Sequence, residues 1–443
     1  MQWPGGGIRP EGVGFYTDAE NPLTPKQSNA VSRPLLRGPG VLALLLILVG
    51  APLYLRTVCQ FVPSQRSGLL PRLIGTRAAL EGRDPYSAEV VREIQTVFYG
   101  HPLAPGDREN PETFLYPATL VPLLAPLAPL SIPAARMAFL AVSVPLLGVA
   151  VWLLLGVLPV SLTWRAKTVV LLLTFAAWPT LWGFRMLQMT MIIAALVWLS
   201  WYLLTRGYRV MPGVLLALTS VKPQLVLALL AVLLVWAVLR RQWTLIASAV
   251  AALGVLLGAT EMLVPHWFGH WRASLRNYTD ITGTAAPLEH LLGHGAGLAV
   301  TIAIACVAVV AIRRLREYET ESTEFAQALS LILAVTVCFI PTDGALVYNY
   351  LLVMPACVVL IFSRPAGAIA PVLRLLMLVQ LGVDFLSVTL AGVWSLTGHV
   401  PDLLAFVTLS DYLLPPLAAA ALAAQMLERR RVPASVSAEA VHA

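Results

Sequence analysis

The heptapeptide Leu218-Thr219-Ser220-Val221-Lys222-Pro223-Gln224 lies inside an apolar run from about residue 211 to 238. About 20 consecutive apolar residues span the hydrocarbon core of a bilayer, so the run reads as a membrane helix. Lys222 stands ten positions beyond Pro212, about 15 Å along a helix that rises 1.5 Å per residue. That is near mid-membrane, where an ammonium is costly unless paired or hydrated. Two readings follow. Lys222 contacts an anionic group such as a lipid phosphate, or it forms an ion pair with an acid elsewhere, Glu261 or Asp384. Pro223 frees the carbonyl four residues earlier, which kinks the helix and suits a polar cavity wall.

The rest of the chain has the same character. Of 443 residues, 58% are hydrophobic and 12% charged, with a mean hydropathy of +0.77. Soluble domains carry roughly 25% charged residues. Twelve spanning helices would use about 240 positions, close to the apolar total. A soluble enzyme, a disordered scaffold and a secreted disulfide domain are excluded. The reading is an all-α polytopic membrane protein with apolar segments at about 39–60, 114–132, 135–158, 167–183, 186–204, 211–238, 243–264, 296–312, 325–341, 348–363, 374–395 and 403–427. They form one integral membrane domain, 39–427, between a disordered cytoplasmic N-terminus, 1–38, and a cytoplasmic tail, 428–443.

The net charge of +7 comes from short clusters beside apolar runs, which read as topology signals and not as a nucleic-acid surface. Arg33 and Arg37, Arg240-Arg241, Arg313-Arg314-Arg316, Arg364 with Arg374, and Arg429-Arg430-Arg431 fall on one side in this count. The positive-inside rule makes that side the cytoplasm and places both termini there. Arg165, Lys167, Arg206 and Arg209 fall on the wrong side, so the fourth and fifth segments are the least secure. The apolar run from Val41 lacks a small-residue cleavage site and reads as a retained helix. The four cysteines form no C-x-x-C pair, so neither a disulfide framework nor a zinc site is implied.

Two external loops are long, 61–113 and 265–295. In the first, Ser87 is placed to cap a helix with Glu89 in its first turn. Val90, Val91, Ile94, Val97 and Phe98 make an apolar stripe on a helix too short to span. It is expected to lie flat on the outer membrane surface, with a weaker counterpart at Leu69–Leu80. Pro117, Pro122, Pro126, Pro129 and Pro133 break up the second segment. Irregular backbone at membrane depth is tolerated where protein covers it or it lines a cavity, so this segment is expected to border a cavity.

Other polar residues leave alternatives open. Arg185 and Gln188 sit between two apolar runs, where Arg185 marks either a cytoplasmic turn or a site. Asp343, close to Tyr348, Asn349 and Tyr350, belongs to a turn sequence yet would overhang the outer mouth of the bundle. His266 with His270 and His290 with His294 have i,i+4 spacing, which can hold a metal. Trp267 and Trp271 beside them favour an interfacial aromatic belt, and no metal site is assigned. No phosphate-binding glycine loop or nucleophile elbow occurs.

Several stretches in order carry a resemblance. They are Leu70-Pro71-Arg72-Leu73-Ile74-Gly75-Thr76-Arg77-Ala78, Gly82-Arg83-Asp84-Pro85-Tyr86-Ser87, Phe114-Leu115-Tyr116-Pro117, Leu187-Gln188, the Lys222 heptapeptide and Tyr348-Asn349-Tyr350. Together, over roughly residues 40–360, the chain resembles the bacterial family 87 glycosyltransferases, polytopic enzymes of the GT-C class. The resemblance implies a GT-C-like bundle with surface helices in the first external loop beside the active site. It implies inverting transfer of a sugar, mannose-like or another hexose or pentose, from a polyprenyl-phosphate donor to a lipid or glycan acceptor. The setting implied is the outer face of the bacterial cytoplasmic membrane. Lys222 matches the family's intramembrane lysine, and Arg72, Arg77, Tyr116, Gln188, Gln224 and Asn349 are the further candidates for holding the donor phosphate or substrate. No cofactor is implied, and the partners are the donor, the acceptor and membrane lipids.

One departure stands out. The family's first loop usually supplies an acid as general base, and here Gly68 occupies that place. A base must then come from Asp84, Glu81 or Asp343, although Asp84 before Pro85 is equally a turn residue. A transporter or flippase of a lipid-linked intermediate is the competing class, but no second-half repeat of Lys222-Pro223 occurs. A GT-C-fold scaffold that has lost the reaction is the other alternative.

Overall fold

The computed structural model describes residues 67–104, 107, 109–282, 285–340, 347–363, 368–395 and 412–429. The N-terminal segment 1–38, the first apolar segment at 39–60, Asp343, and the tail beyond Arg429 lie outside the described residues. Every regular element among the described residues is helical. The first loop gives α1 (Leu69–Leu80) and α2 (Ala88–Tyr99), and the proline-rich stretch gives only α3 (Leu120–Leu124). Then follow α4 (Ile132–Leu154), α5 (Trp164–Ala176), α6 (Trp178–Arg185), α7 (Thr190–Thr205), α8 (Val210–Leu218), α9 (Leu227–Leu239) and α10 (Trp243–Leu263). The second loop forms α11 (Trp267–Thr282) and α12 (Pro287–Leu292). The chain ends with α13 (His294–Ile312), α14 (Thr323–Cys338), α15 (Met354–Phe362), α16 (Ile369–Ser395) and α17 (Leu414–Arg429).

Twelve similar spans do not emerge. Helices α4, α10 and α13 are each long and apolar enough to cross a membrane, and α5 with α6, bent by 52°, makes a fourth candidate. Helix α16 is a further unbroken apolar helix of 27 residues. The other apolar segments among the described residues are shorter or broken, and two of them return to the end they left.

The proline-rich stretch is the first of these. Its prolines remove backbone donors every few residues, so helix survives only at α3 and a 3-10 turn at 125–127. The first loop holds both ends of this stretch. Tyr86 Oη donates to the Tyr116 carbonyl at 2.7 Å, and Arg77 donates to the carbonyls of Ala128 and Leu130 at 2.9 and 2.6 Å. The stretch stays with the loop, and α4 therefore starts from the loop end of the bundle.

Residues 210–241 are the second. Helix α8 leads to Lys222, α9 leads back, and Arg209 Nε donates to Gln242 Oε1 at 2.6 Å. The run is a re-entrant hairpin with Lys222 at its tip, where a single kinked helix was expected. The arms flank a small cavity of about 10 Å³ lined by Leu216, Leu229, Leu233, Leu329 and Leu333 among others. Helix α8 packs along α10, closely enough that a Cβ on Gly213 would strike the Ser248 side chain.

These two corrections place the stray cations. Lys167 and Arg206 are close enough to repel, and Arg209 joins Gln242 just after Arg240-Arg241. Arg240 in turn pairs with Glu319, beyond the Arg313–Arg316 cluster. All of these charges gather at one end. The two long loops meet at the other, where His270 Nδ1 lies 3.0 Å from Asp84 Oδ2 and Trp271 Nε1 donates to the Leu115 carbonyl at 2.9 Å.

The loop helices depart from expectation in their placement. Ser87 caps α2 by accepting from the Val90 amide at 3.3 Å, and Gly100 ends it at φ +92°, where a Cβ would be strained. Most of the apolar stripe of α2 faces protein: Val90, Ile94 and Phe98 are buried, Val91 is half-buried and Val97 exposed, and α2 packs on α1. Ten of the twelve residues of α1 are buried, so α1 is an interior rod and not a surface helix. An apolar stripe fits lipid or protein equally well, and α1 covers it. Gly75 lets α1 approach the Phe114 ring, which would collide with any Cβ there.

Candidate functional site

Four irregular segments converge between the loops and the bundle: the link from α6 to α7, the hairpin tip at 219–225, the 3-10 stretch 347–353 and the strap 110–117 against α1. Each leaves backbone groups that a continuous helix would have paired, which membrane depth allows only under protein cover. Polar side chains collect there.

Lys222 sits between two 3-10 turns in extended-type backbone (φ −139°, ψ 70°) and is only 6% exposed. Its Nζ donates to Thr190 Oγ1 at 2.9 Å and to Asn349 Oδ1 at 3.0 Å. Thr190 Oγ1 also donates to Asn349 Oδ1 at 2.9 Å, and the Tyr348 ring centroid lies 4.7 Å from the nitrogen. Neither acid considered as an ion-pair partner reaches it. Glu261 accepts from the His266 amide, and Asp384 accepts from Gln380 at 2.8 Å. Among the described residues the ammonium meets two neutral oxygens and an aromatic face, and no carboxylate. An ammonium has three donors, so one remains for a further acceptor.

A second buried cation stands nearby. Arg72, on α1, donates to the Leu187 carbonyl at 3.1 Å and to Gln188 Oε1 at 2.7 Å, and its guanidinium covers the Tyr116 ring at 4.3 Å. Arg72 and Lys222 are close enough to repel. Leu187 holds φ +49°, a left-handed backbone that costs a non-glycine residue about 1–3 kcal/mol. That turn aims its carbonyl at Arg72. The Tyr116 hydroxyl is buried and has no hydrogen-bond partner among the described residues.

Gly68 lies against this cluster. A Cβ there would come 2.5 Å from Gln188 Nε2 and 3.2 Å from Arg72 Nη2. The place where the resemblance calls for an acid is therefore filled by Gln188 and Arg72.

Glu112 was not singled out from the sequence. It lies on the strap, which Tyr99 holds through the Asn110 carbonyl, Tyr86 through Tyr116 and Trp271 through Leu115. Its carboxylate interacts electrostatically with Arg72 and Tyr348. Loss of hydration pushes this carboxyl up to about 7, and the nearby Arg72 charge offsets only part of that rise. The signal was its place two positions before Phe114-Leu115-Tyr116-Pro117.

The other candidates lie apart. Glu81 is exposed and paired with Arg83 at 2.7 Å. Asp84 accepts from the Tyr86 amide at 3.0 Å, a turn contact, and pairs with His270. Arg77 is engaged by carbonyls at the end of the proline-rich stretch. Gln224 is exposed, and Arg185 is exposed beside Trp182. The histidines separate: His270 joins Asp84, His290 stacks on Tyr412, and His294 meets Glu289 at 3.2 Å.

Membrane-competent helices around a cluster of buried cations, built at helix breaks and roofed by two loops, define a multi-pass membrane protein with a buried basic cluster. The chain belongs to glycosyltransferase family 87: the model of that family matches residues 114–341, about half of the sequence. The matched region holds Tyr116, Gln188 and Lys222, while Arg72 and Glu112 precede it and Asn349 follows it. No curated protein and no solved structure matches the chain.

Proposed function

We propose that this protein transfers a sugar from a polyprenyl-phosphate donor to a lipid or glycan acceptor at the outer face of a bacterial cytoplasmic membrane. The family membership supports a membrane glycosyltransferase. The observation that carries the finer reading is Lys222, a buried ammonium held by neutral oxygens with a donor to spare. A phosphate supplies the charge that Lys222 lacks, and Arg72 with the Tyr116 hydroxyl extends the same surface. As the bond from the anomeric carbon to the phosphate oxygen breaks, negative charge grows on the leaving phosphate. Fixed cations stabilise that charge. The site lies toward the loop end, opposite the clusters of arginine and lysine, and the positive-inside rule makes that end external. Lys167, Arg209 and Arg240 then mark the cytoplasmic side.

The test is reconstitution of the protein with radiolabelled polyprenyl-phosphate sugars, following the label. Lys222→Ala is expected to insert normally, to bind the donor at least tenfold more weakly and to lose transfer. Donor binding and transfer unchanged in that variant would remove this reading. Label that changes leaflet while still on polyprenyl phosphate would instead identify a flippase.

A further inference from the structure

We infer that Glu112 is the catalytic base of this chain, accepting the proton of the acceptor hydroxyl beside the Arg72–Lys222 cluster. The inference rests on the transferase reading above and assigns the group that the reaction still lacks. In the step, the acceptor oxygen attacks the anomeric carbon and its proton passes to the Glu112 carboxylate. The bond from the anomeric carbon to the phosphate oxygen breaks, and its electron pair leaves on the polyprenyl phosphate, facing Lys222 and Arg72. Glu112 then releases the proton to water.

Position supports the assignment first. The strap is fixed at Asn110, Leu115 and Tyr116, each carbonyl taking a hydrogen bond from a different element. Four residues after Glu112, Tyr116 lies under the Arg72 guanidinium. The carboxylate is partly buried, and no hydrogen bond or ion pair occupies it among the described residues. Glu81 and Asp84, the first-loop acids that the sequence offered as bases, are engaged: Glu81 by Arg83, Asp84 by Tyr86 and His270. At Gly68 a side chain would strike Gln188.

Its charge environment agrees. Arg72 from α1 favours the carboxylate, Tyr348 from the 3-10 stretch lies within electrostatic range, and Tyr278 of α11 also acts on Tyr348. Lys222 and Tyr116 are further ionisable groups of the site among the described residues. A carboxyl raised to about 7 is half ionised at neutral pH, where a base has both occupancy and driving force.

The experiment uses the full chain in proteoliposomes, with radiolabelled polyprenyl-phosphate mannose as donor and envelope lipid extract as acceptor source. Donor binding and transfer are measured separately. Glu112→Gln is expected to bind the donor within threefold of wild type while its transfer rate falls at least 100-fold. Glu112→Asp is expected to retain part of the rate. Wild-type kcat/KM is expected to rise with pH and level off above about 7, and that acid limb should vanish in Glu112→Gln. Transfer within threefold of wild type in Glu112→Gln would overturn the assignment and leave the Lys222 reading standing on its binding measurement. Loss of donor binding in Glu112→Gln would also overturn it, as the mark of a structural role. A wild-type protein that binds the donor but transfers nothing would overturn the transferase reading and this assignment with it.

Discussion

Arg209 and Gln242, 33 positions apart, are joined by a hydrogen bond of 2.6 Å, so the chain between them leaves and re-enters the same end of the bundle. The longest apolar run in the middle of the sequence is thus two arms and a tip. Cysteines placed singly at Gly207 and Arg241 in a cysteine-free background are expected to label from one side of the membrane. A cysteine at Ser131 is expected to label only from the other. Labelling of Gly207 and Arg241 from opposite sides would show a spanning helix instead.

Asn349 accepts from both Lys222 and Thr190. Asn349→Asp puts a carboxylate against the ammonium, and the resulting ion pair competes with the donor phosphate. Transfer is expected to fall at least 100-fold, chiefly through weaker donor binding. Asn349→Leu removes the acceptor without adding charge and is expected to be less damaging in binding. Equal donor affinity in wild type and Asn349→Asp, read by equilibrium binding, would contradict this.

These positions show how far the sequence could be read. Lys222 was legible because a lysine amid leucines and valines has few places to go, and apolar composition alone announced the membrane. The α2 helix was legible from its cap and stripe, but the stripe could not say whether lipid or α1 would cover it. Run length could not distinguish a span from a hairpin, since 13 residues of α9 are as apolar as any crossing helix. The four misplaced cations, Arg165, Lys167, Arg206 and Arg209, were the sign that two segments turned back. Glu112 was hidden because the groups that act on it, Arg72 and Tyr348, are distant in sequence, as is Trp271, which helps to hold its strap.

Glu112 also links stability to pH. Its folded-state pKa, about 7, stands above the ordinary 4.5, so the folded protein binds the extra proton between those values. Stability from this group is therefore present at low pH and lost as pH rises through that window. At about 1.4 kcal/mol per unit, Glu112→Gln is expected to gain at most roughly 3–4 kcal/mol at pH 8. At pH 4 no gain is expected. Thermal unfolding in detergent at the two pH values checks this, and an equal shift at both would contradict it.

Gly75 and Phe114 give a packing test. Gly75→Ala is expected to destabilise the protein by about 1–3 kcal/mol through overpacking, because the added carbon meets the Phe114 ring. Gly75→Ala with Phe114→Leu is expected to recover part of the loss. Detergent melting curves of the single and double variants decide it, and independent, additive effects would show that the two residues are not in contact.

Two acceptors, the Leu187 carbonyl and Gln188 Oε1, fix the plane of the Arg72 guanidinium, and the Tyr116 ring fixes which face is covered. A guanidinium carries five N–H donors in a rigid fork, so fastening one edge determines where the others point. Preorganisation of this kind is completed during folding, so that on the proposed reading the donor phosphate meets a rigid hydrogen-bond-donating edge that needs no rotamer search.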